Sequence, residues 1–460
     1  YFALAYIAPL ATAIRYGEEW QIYLYALLIT LAIGLFLEFR FRTERVIERA
    51  DGFTIVAFTW LFIPLLGTLP YLFLGLGFLD AFFEAMSGFT TTGATVLQPL
   101  ETQRFFPLPY SALLWRSLTQ WLGGMGVIAI FVAVLPRLGV GGSQLFDREF
   151  PGPLPERLRP RFRTTARILW AIYAAFTAVE IALLRFVAGL PFFDSTCISF
   201  STLSTGGFTP TWESIGAYNN PLAEYIIMAF MFLAGMNFII HYQVSQRNWK
   251  IFKDDELRLY VIILAVTISL IVLSQGLSSY TEAIFQTISI MTTTGFVTDD
   301  FAFWQSGARM LLLALMFIGA CGGSTGGGIK VVRVLTLMKH SRVMMTQAIS
   351  PKVMIRLKYN GKPLSDGIVR DVISFLFFYV LVAIVASVVL TFLGLNLETA
   401  VSAVAATLGN VGPGLGGVGA ALNYAWLPGP AKVILIMCMW LGRLELFTVF
   451  MMFSRRFWQG

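Results

Sequence analysis

Four stretches of this chain end in threonine or asparagine close to a glycine, each about a dozen residues after an acid. The first runs from Asp80 to Gly93 and ends Phe89-Thr90-Thr91-Thr92-Gly93-Ala94. The second runs from Asp194 to Gly207 and ends Ser204-Thr205-Gly206-Gly207-Phe208. The third, Glu282 to Gly295, ends Met291-Thr292-Thr293-Thr294-Gly295-Phe296, and the fourth, Glu398 to Gly412, ends Asn410-Val411-Gly412-Pro413. The acid-to-glycine spacing is 13, 13, 13 and 14 residues. One such ending reads as an ordinary helix C-cap; four at matched positions form an internal repeat. The chemistry on offer is uncharged oxygen. Threonine supplies hydroxyls, glycine admits backbone conformations closed to other residues, and exposed carbonyls can replace the water around a cation. The candidate ligands are therefore Thr91, Thr92, Gly93, Thr205, Gly206, Gly207, Thr293, Thr294, Gly295, Asn410, Val411 and Gly412. No nucleophile–base constellation or metal-ligand set accompanies them, which counts against an enzyme.

The elements that must position these residues follow from their length. A stretch of about 12 residues is too short to cross a bilayer but suits a half-helix that dips into it and returns. Its C-terminal end carries roughly half an elementary negative charge and favours a cation, while an acid is favourable at its N-terminal end. Irregular backbone after the half-helix is tolerated at membrane depth only beside a water-filled cavity or buried in protein.

The rest of the chain supplies the bilayer context. Of its 460 residues 57% are hydrophobic and only 13% charged, with a mean hydropathy of +0.73. Apolar runs lie near 1–15, 20–39, 53–75, 108–136, 168–189, 222–244, 259–276, 306–338, 368–394 and 430–454, which gives ten spans. The first is short and the chain begins at Tyr1, so further sequence is expected before it, and no cleavable signal sequence is evident. The loops 76–107, 190–221, 276–305 and 395–429 hold one basic residue, Arg104. The stretches 39–52, 137–167, 245–258, 330–370 and 455–456 hold 26 of the 33 lysines and arginines, which places them and both termini in the cytoplasm. The net charge of +7 is thus a topology signal rather than a nucleic-acid footprint. The expected architecture is an all-α integral membrane protein with four membrane–pore–membrane repeats around one cation pore, at 51–140, 165–245, 257–340 and 366–460. Two extra spans precede them in 1–50.

One span stands apart. Run 306–338 is about 50 Å long if helical throughout, and residues 319–328 contain Gly319, Gly322, Gly323, Gly326, Gly327 and Gly328. Each glycine costs a helix up to about 1 kcal/mol relative to alanine, so a break into two helices joined by an intramembrane loop is expected. Arg443, inside the last span, is a costly charge expected to bond the loop's free carbonyls or to pair with Glu445. Together these residues read as a gate.

The chain resembles the TrkH/TrkG–KtrB family of bacterial potassium uptake proteins, related to fungal Trk and plant HKT transporters. The resemblance rests on Thr90 to Thr95, Trp121-Leu122-Gly123-Gly124-Met125-Gly126, Met291 to Phe296, Gly319 to Gly328 and Gly442-Arg443-Leu444-Glu445. The two extra N-terminal spans resemble the TrkH/TrkG branch. The resemblance implies potassium as substrate, no cofactor, one filter per subunit, a homodimer in the bacterial inner membrane, and a cytosolic nucleotide-binding TrkA-type partner. Glycine at all four filter positions goes with potassium in this family, whereas sodium selectivity goes with serine in the first repeat; sodium or ammonium is the alternative cargo. Gly206 departs from the larger residue usual there, which predicts a looser quarter of the filter.

Asp80, Glu84, Asp194, Glu282, Asp299, Asp300 and Glu398 make the expected outer face acidic, as a cation entrance or as helix caps. Gly414-Leu415-Gly416-Gly417-Val418-Gly419 matches a dinucleotide fingerprint without the strand it needs. His241 and His340 lack partners at metal spacing. Cys197, Cys321 and Cys438 read as packing residues. Glu180 and Arg185 are expected to pair or to reach outward within the fifth span.

Overall fold

The computed structural model describes residues 1–41, 49–98, 108–138, 158–351, 356–446 and 449. Arg104 and the basic residues within 42–48, 139–157, 352–355 and 451–460 lie outside the described residues.

The described chain is helical apart from one hairpin, Lys358–Tyr359 paired with Lys362–Pro363, whose Asn360-Gly361 turn has both φ angles positive. Helices α1 (Ile7–Tyr16) and α2 (Gln21–Phe41) are followed by α3 (Arg49–Gly67) and the short α4 (Leu69–Phe73). Next come α5 (Phe78–Phe89), α6 (Tyr110–Leu138), α7 (Leu158–Phe186) and α8 (Phe192–Leu203). Helices α9 (Pro221–Gly235), α10 (Phe238–Ser245), α11 (Asp255–Gln275) and α12 (Tyr280–Met291) continue the chain. It closes with α13 (Ser306–Ile318), α14 (Val331–Ile349), α15 (Asp366–Phe392), α16 (Leu397–Leu408) and α17 (Gly429–Arg443).

The long helices are built for lipid. Ile262, Val266, Leu270 and Leu273 on α11, and Phe377, Leu381, Ile384 and Val388 on α15, are exposed at helical spacing and form apolar outer stripes. Among the described residues, five helical spans are long and apolar enough to cross a membrane, one of them running through α3 and α4 (Thr54–Phe73), and α9 with α10 makes a sixth when the bent pair is taken as one span.

The ten apolar runs are not ten straight helices. Run 306–338 breaks as expected, between Ile318 and Val331. Run 222–244 breaks as well: α9 and α10 meet at 99°. Met236 is extended there, and the Asn237 side chain caps α10 by accepting from the Ile239 N–H at 2.9 Å. The glycine loop occupies the break, because Cys321 N–H donates to the Gly235 carbonyl and Phe238 N–H to the Gly323 carbonyl, both at 3.0 Å. The backbone groups freed by one interruption are thus satisfied by the other.

The N-terminal helices brace the first of the four units. Tyr6 stacks on Trp115 at 4.6 Å, and Glu18 caps α6 by accepting from the N–H groups of Tyr110 and Ser111.

Candidate functional site

Helices α5, α8, α12 and α16 are each 12 residues long and each carries its acid in the first turn: Asp80, Asp194, Glu282 and Glu398. Each passes at its C-terminal end into the same backbone pattern. Thr91, Thr205, Thr293 and Asn410 have φ between 52° and 62°, and Gly93, Gly207, Gly295 and Gly412 have φ between 78° and 105°. A left-handed non-glycine residue is uncommon and costs of order 1 kcal/mol or more. Four in register mark one strained device repeated four times.

The four strands close on one another. A Cβ on Gly93 would overlap the Gly206 carbonyl oxygen, one on Gly207 the Thr294 oxygen, and one on Gly295 the Val411 oxygen. One on Gly412 would stand 2.7 Å from the Thr92 oxygen. Each glycine therefore faces the middle residue of the next strand, and the fourth strand returns to the first. This brings all 12 sequence-designated residues into one ring. Four helix C-termini lead into it, and their partial negative charges favour a cation. The ring carries no charged side chain: its side chains are those of threonine and asparagine, with one valine, Val411. The Thr91 hydroxyl is buried and has no hydrogen-bond partner among the described residues. Asn410 Nδ2 donates to Thr92 Oγ1 at 2.9 Å and to the Met439 carbonyl at 3.1 Å.

Close approach by other helices explains glycines that the repeat pattern does not. A Cβ on Gly123 of α6 would overlap the Phe89 carbonyl, and one on Gly442 of α17 the Leu408 carbonyl. These glycines let the membrane helices press against the ends of α5 and α16.

The outer acids are more tied down than an open entrance requires. Asp80 pairs with Lys432 at 2.6 Å, Glu398 pairs with Arg309, and Glu84 pairs with Arg116 at 2.8 Å. The basic partners come from α17, α13 and α6 rather than from the outer loops. Glu84 and Arg116 are both buried, and Glu84 also accepts from Thr95 Oγ1 and Val96 N–H, each at 3.0 Å. Arg116→Met leaves that carboxylate buried without its counter-charge, so stability in detergent falls by about 3–5 kcal/mol. Adding Glu84→Gln restores most of it. Unfolding curves of the three variants check this, and an unchanged midpoint for Arg116→Met refutes it.

Beneath the ring lies the glycine loop. Gly327 N–H donates to Thr293 Oγ1 at 2.8 Å, Thr325 Oγ1 donates to the Leu203 carbonyl at 3.0 Å, and a Cβ on Gly327 would overlap the Gly409 carbonyl. The loop thus touches the ends of α8, α12 and α16. Gly319, Gly323 and Gly328 take φ of 73° to 75°, which a helix excludes. Gly322 N–H donates to Glu256 Oε1 at 2.6 Å, and Gly326 packs within 2.9 Å of the Thr292 carbonyl when given a Cβ. Arg443 is buried and Nη1 donates to the Thr325 carbonyl at 2.8 Å, while Nη2 reaches the Gly123 carbonyl at 3.5 Å. Glu445 takes Lys330 and Arg333 instead, at 2.9 and 2.5 Å. Of the two expectations for Arg443, bonding to the loop is the one found.

Other sequence-designated residues lie elsewhere. Glu180 is buried with neither carboxyl oxygen hydrogen-bonded among the described residues, and Arg185 donates to the Leu190 carbonyl, so the two do not pair. His241 Nε2 lies 2.9 Å from the Leu233 carbonyl oxygen. The three cysteines are buried and free.

Short helices leading into a ring of left-handed strands, framed by lipid-facing helices, define an integral membrane protein of four membrane–pore–membrane units. The sequence model of the TrkH family, described as a cation transport protein, matches residues 21–278 and 257–460, and the chain belongs to this family. It is 40% identical over 446 residues to the Trk system potassium uptake protein TrkH of Salmonella typhimurium, covering 94% of this chain and 91% of that protein. It is 34% identical over 474 residues to the Trk system potassium uptake protein TrkG of Escherichia coli, covering 100% and 96%. The crystal structure of the potassium transporter TrkH from Vibrio parahaemolyticus superposes with a TM-score of 0.89 at 33% identity, covering 99% of this chain and 96% of that one.

Proposed function

We propose that this chain carries potassium into the cell across the bacterial cytoplasmic membrane, through an ion path lined by the four-strand ring. The observation that carries the reading is the closure of the ring, in which each glycine abuts the next strand's middle carbonyl. Carbonyls and hydroxyls without fixed charge suit a monovalent cation stripped of water. The names of the relatives support potassium as the cargo. The glycine loop, held by Arg443, closes the path below the ring. The four units are the stretches 51–140, 165–245, 257–340 and 366–460. The basic stretches face the cytoplasm, with both termini there.

The same reading makes the protein a homodimer that binds a cytosolic nucleotide-binding TrkA-type subunit. Helix α14 supports this, since it runs on from the loop and exposes Met344, Met345 and Ile349. Mass measurement in detergent, with and without added partner, checks it.

The decisive experiment is ion flux into liposomes holding the purified protein. Potassium enters in preference to sodium and ammonium. Equal rates for all three would overturn the cargo, and no flux above empty liposomes would overturn conduction.

A further inference from the structure

We infer that Gln120 is the positioning residue of the second filter strand, occupying the place of the side chain that Gly206 lacks. This rests on the ring being the ion filter.

Gln120 lies on α6, in the first unit, and is fully buried. Its Nε2 donates to the Gly206 carbonyl at 2.6 Å, and its Oε1 accepts from the Phe208 N–H at 3.0 Å. The two bonds straddle Gly207. The three atoms nearest to a Cβ built on Gly206 all belong to the Gln120 amide, with Nε2 at 2.8 Å. Gly206 is not in the left-handed region, so its backbone admits a side chain, and the Gln120 amide stands where that side chain would begin.

The equivalent position in two other strands carries its own brace. Thr92 Oγ1 lies 2.8 Å from Thr90 Oγ1, and Thr294 Oγ1 lies 2.8 Å from Thr292 Oγ1. Each hydroxyl pair ties a strand to the helix before it. The second strand has no hydroxyl at Gly206 and is held from outside. The oxygen that Gln120 holds is also the one that Gly93 abuts, so the amide fixes the junction between the first and second strands. The missing side chain does not loosen this quarter of the ring, because a buried amide with two hydrogen bonds takes its place.

The test compares potassium over sodium selectivity of reconstituted Gln120→Ala, Gln120→Met, Gly206→Thr, and the double variant Gln120→Ala with Gly206→Thr. Gly207→Ser serves as the reference for the filter itself. Gln120→Met keeps the volume and removes both hydrogen bonds. It and Gln120→Ala lower selectivity about tenfold, with thermal stability of the Met variant close to the parent. Gly206→Thr alone collides with Gln120 and is impaired. The double variant recreates the threonine arrangement of the first and third strands and recovers most of the selectivity lost in Gln120→Ala. Parent-like selectivity in Gln120→Met, or a double variant no better than Gln120→Ala, overturns the inference. If Gly207→Ser loses selectivity while Gln120→Met keeps it, only the brace falls. If neither loses it, the filter reading falls as well.

Discussion

Changing Arg443 to alanine raises cation flux through the reconstituted protein by about tenfold to a hundredfold, with selectivity unchanged. A hydrogen bond to a charged donor contributes about 1.5–3 kcal/mol, and each ~1.4 kcal/mol moves a two-state population tenfold. Arg443 Nη1 holds the Thr325 carbonyl at 2.8 Å, and its guanidinium packs 5.8 Å from the centre of the Trp60 ring. Alanine frees one end of the loop and removes a buried positive charge from beside the proposed ion path. The remaining contacts include Gly327 N–H to Thr293 and Thr325 Oγ1 to the Leu203 carbonyl, together with the bonds of Cys321, Gly322 and Gly323 to Gly235, Glu256 and Phe238. Deleting residues within 321–327 removes these as well and raises flux further. Arg443 bonds the Thr325 and Gly123 carbonyls rather than a ring residue, so the potassium to sodium ratio of Arg443→Ala stays at its parent value, while the deletion, which can also remove the Gly327 bond to Thr293, is read for flux alone. Reduced flux in both, at normal expression, refutes the gating role. In the proposed gating role α14 is the lever: Lys330 and Arg333 at its start both grip Glu445, which lies two residues past the end of the helix that carries Arg443. The proposed cytosolic partner, by pulling α14, would move the loop and strain the Arg443 anchor together.

The parts of this architecture that recur or that rely on backbone chemistry were readable from the residues. The acid-to-glycine period located the half-helices because an N-terminal acid and a left-handed C-terminal exit are local demands. The break at 319–330 was readable because six glycines destabilise a helix whatever surrounds them. The break at Met236 was not. Run 222–244 is apolar almost throughout, and its only local marks, Gly235 and the cap residue Asn237, gain meaning from a loop some 85 residues later, with Cys321 86 residues beyond Gly235 and Gly323 85 beyond Phe238. Ion pairs were hidden for the same reason. Asp80 and Lys432 stand 352 residues apart, and Arg333 and Glu445 stand 112 apart, so no spacing rule connects them. Gln120 is one amide in an apolar helix, and only the ring reveals that it faces the strand without a side chain. Long-range complementarity of this kind exists in the fold and not in any window of the sequence.

Replacing Gly93 by serine lowers the preference for potassium over sodium by tenfold or more, and the four ring glycines differ in how strongly they respond. At each position φ is left-handed, so any side chain carries a backbone penalty of about 1–2 kcal/mol. The larger effect is steric. The new Cβ overlaps a carbonyl oxygen of the next strand at Gly93, Gly207 and Gly295, and backbone oxygen cannot swing aside as a flexible side chain does. Pro413 closes the space around Gly295 further, with its Cδ 2.8 Å from the added Cβ. At Gly412 the nearest oxygen, that of Thr92, stands 2.7 Å away, and a small outward shift accommodates the change. The expected order of damage places Gly295 first and Gly412 last, with Gly93 and Gly207 between. Because the ring is cyclic, each substitution displaces its own strand and the strand it abuts, so the path widens rather than closes. A wider ring pulls its oxygens away from a dehydrated potassium ion and admits a sodium ion that keeps part of its water. Flux therefore persists in Gly93→Ser while the ratio of potassium to sodium falls, which separates this outcome from simple misfolding. Selectivity left unchanged in all four glycine-to-serine variants would remove the ring from the ion path.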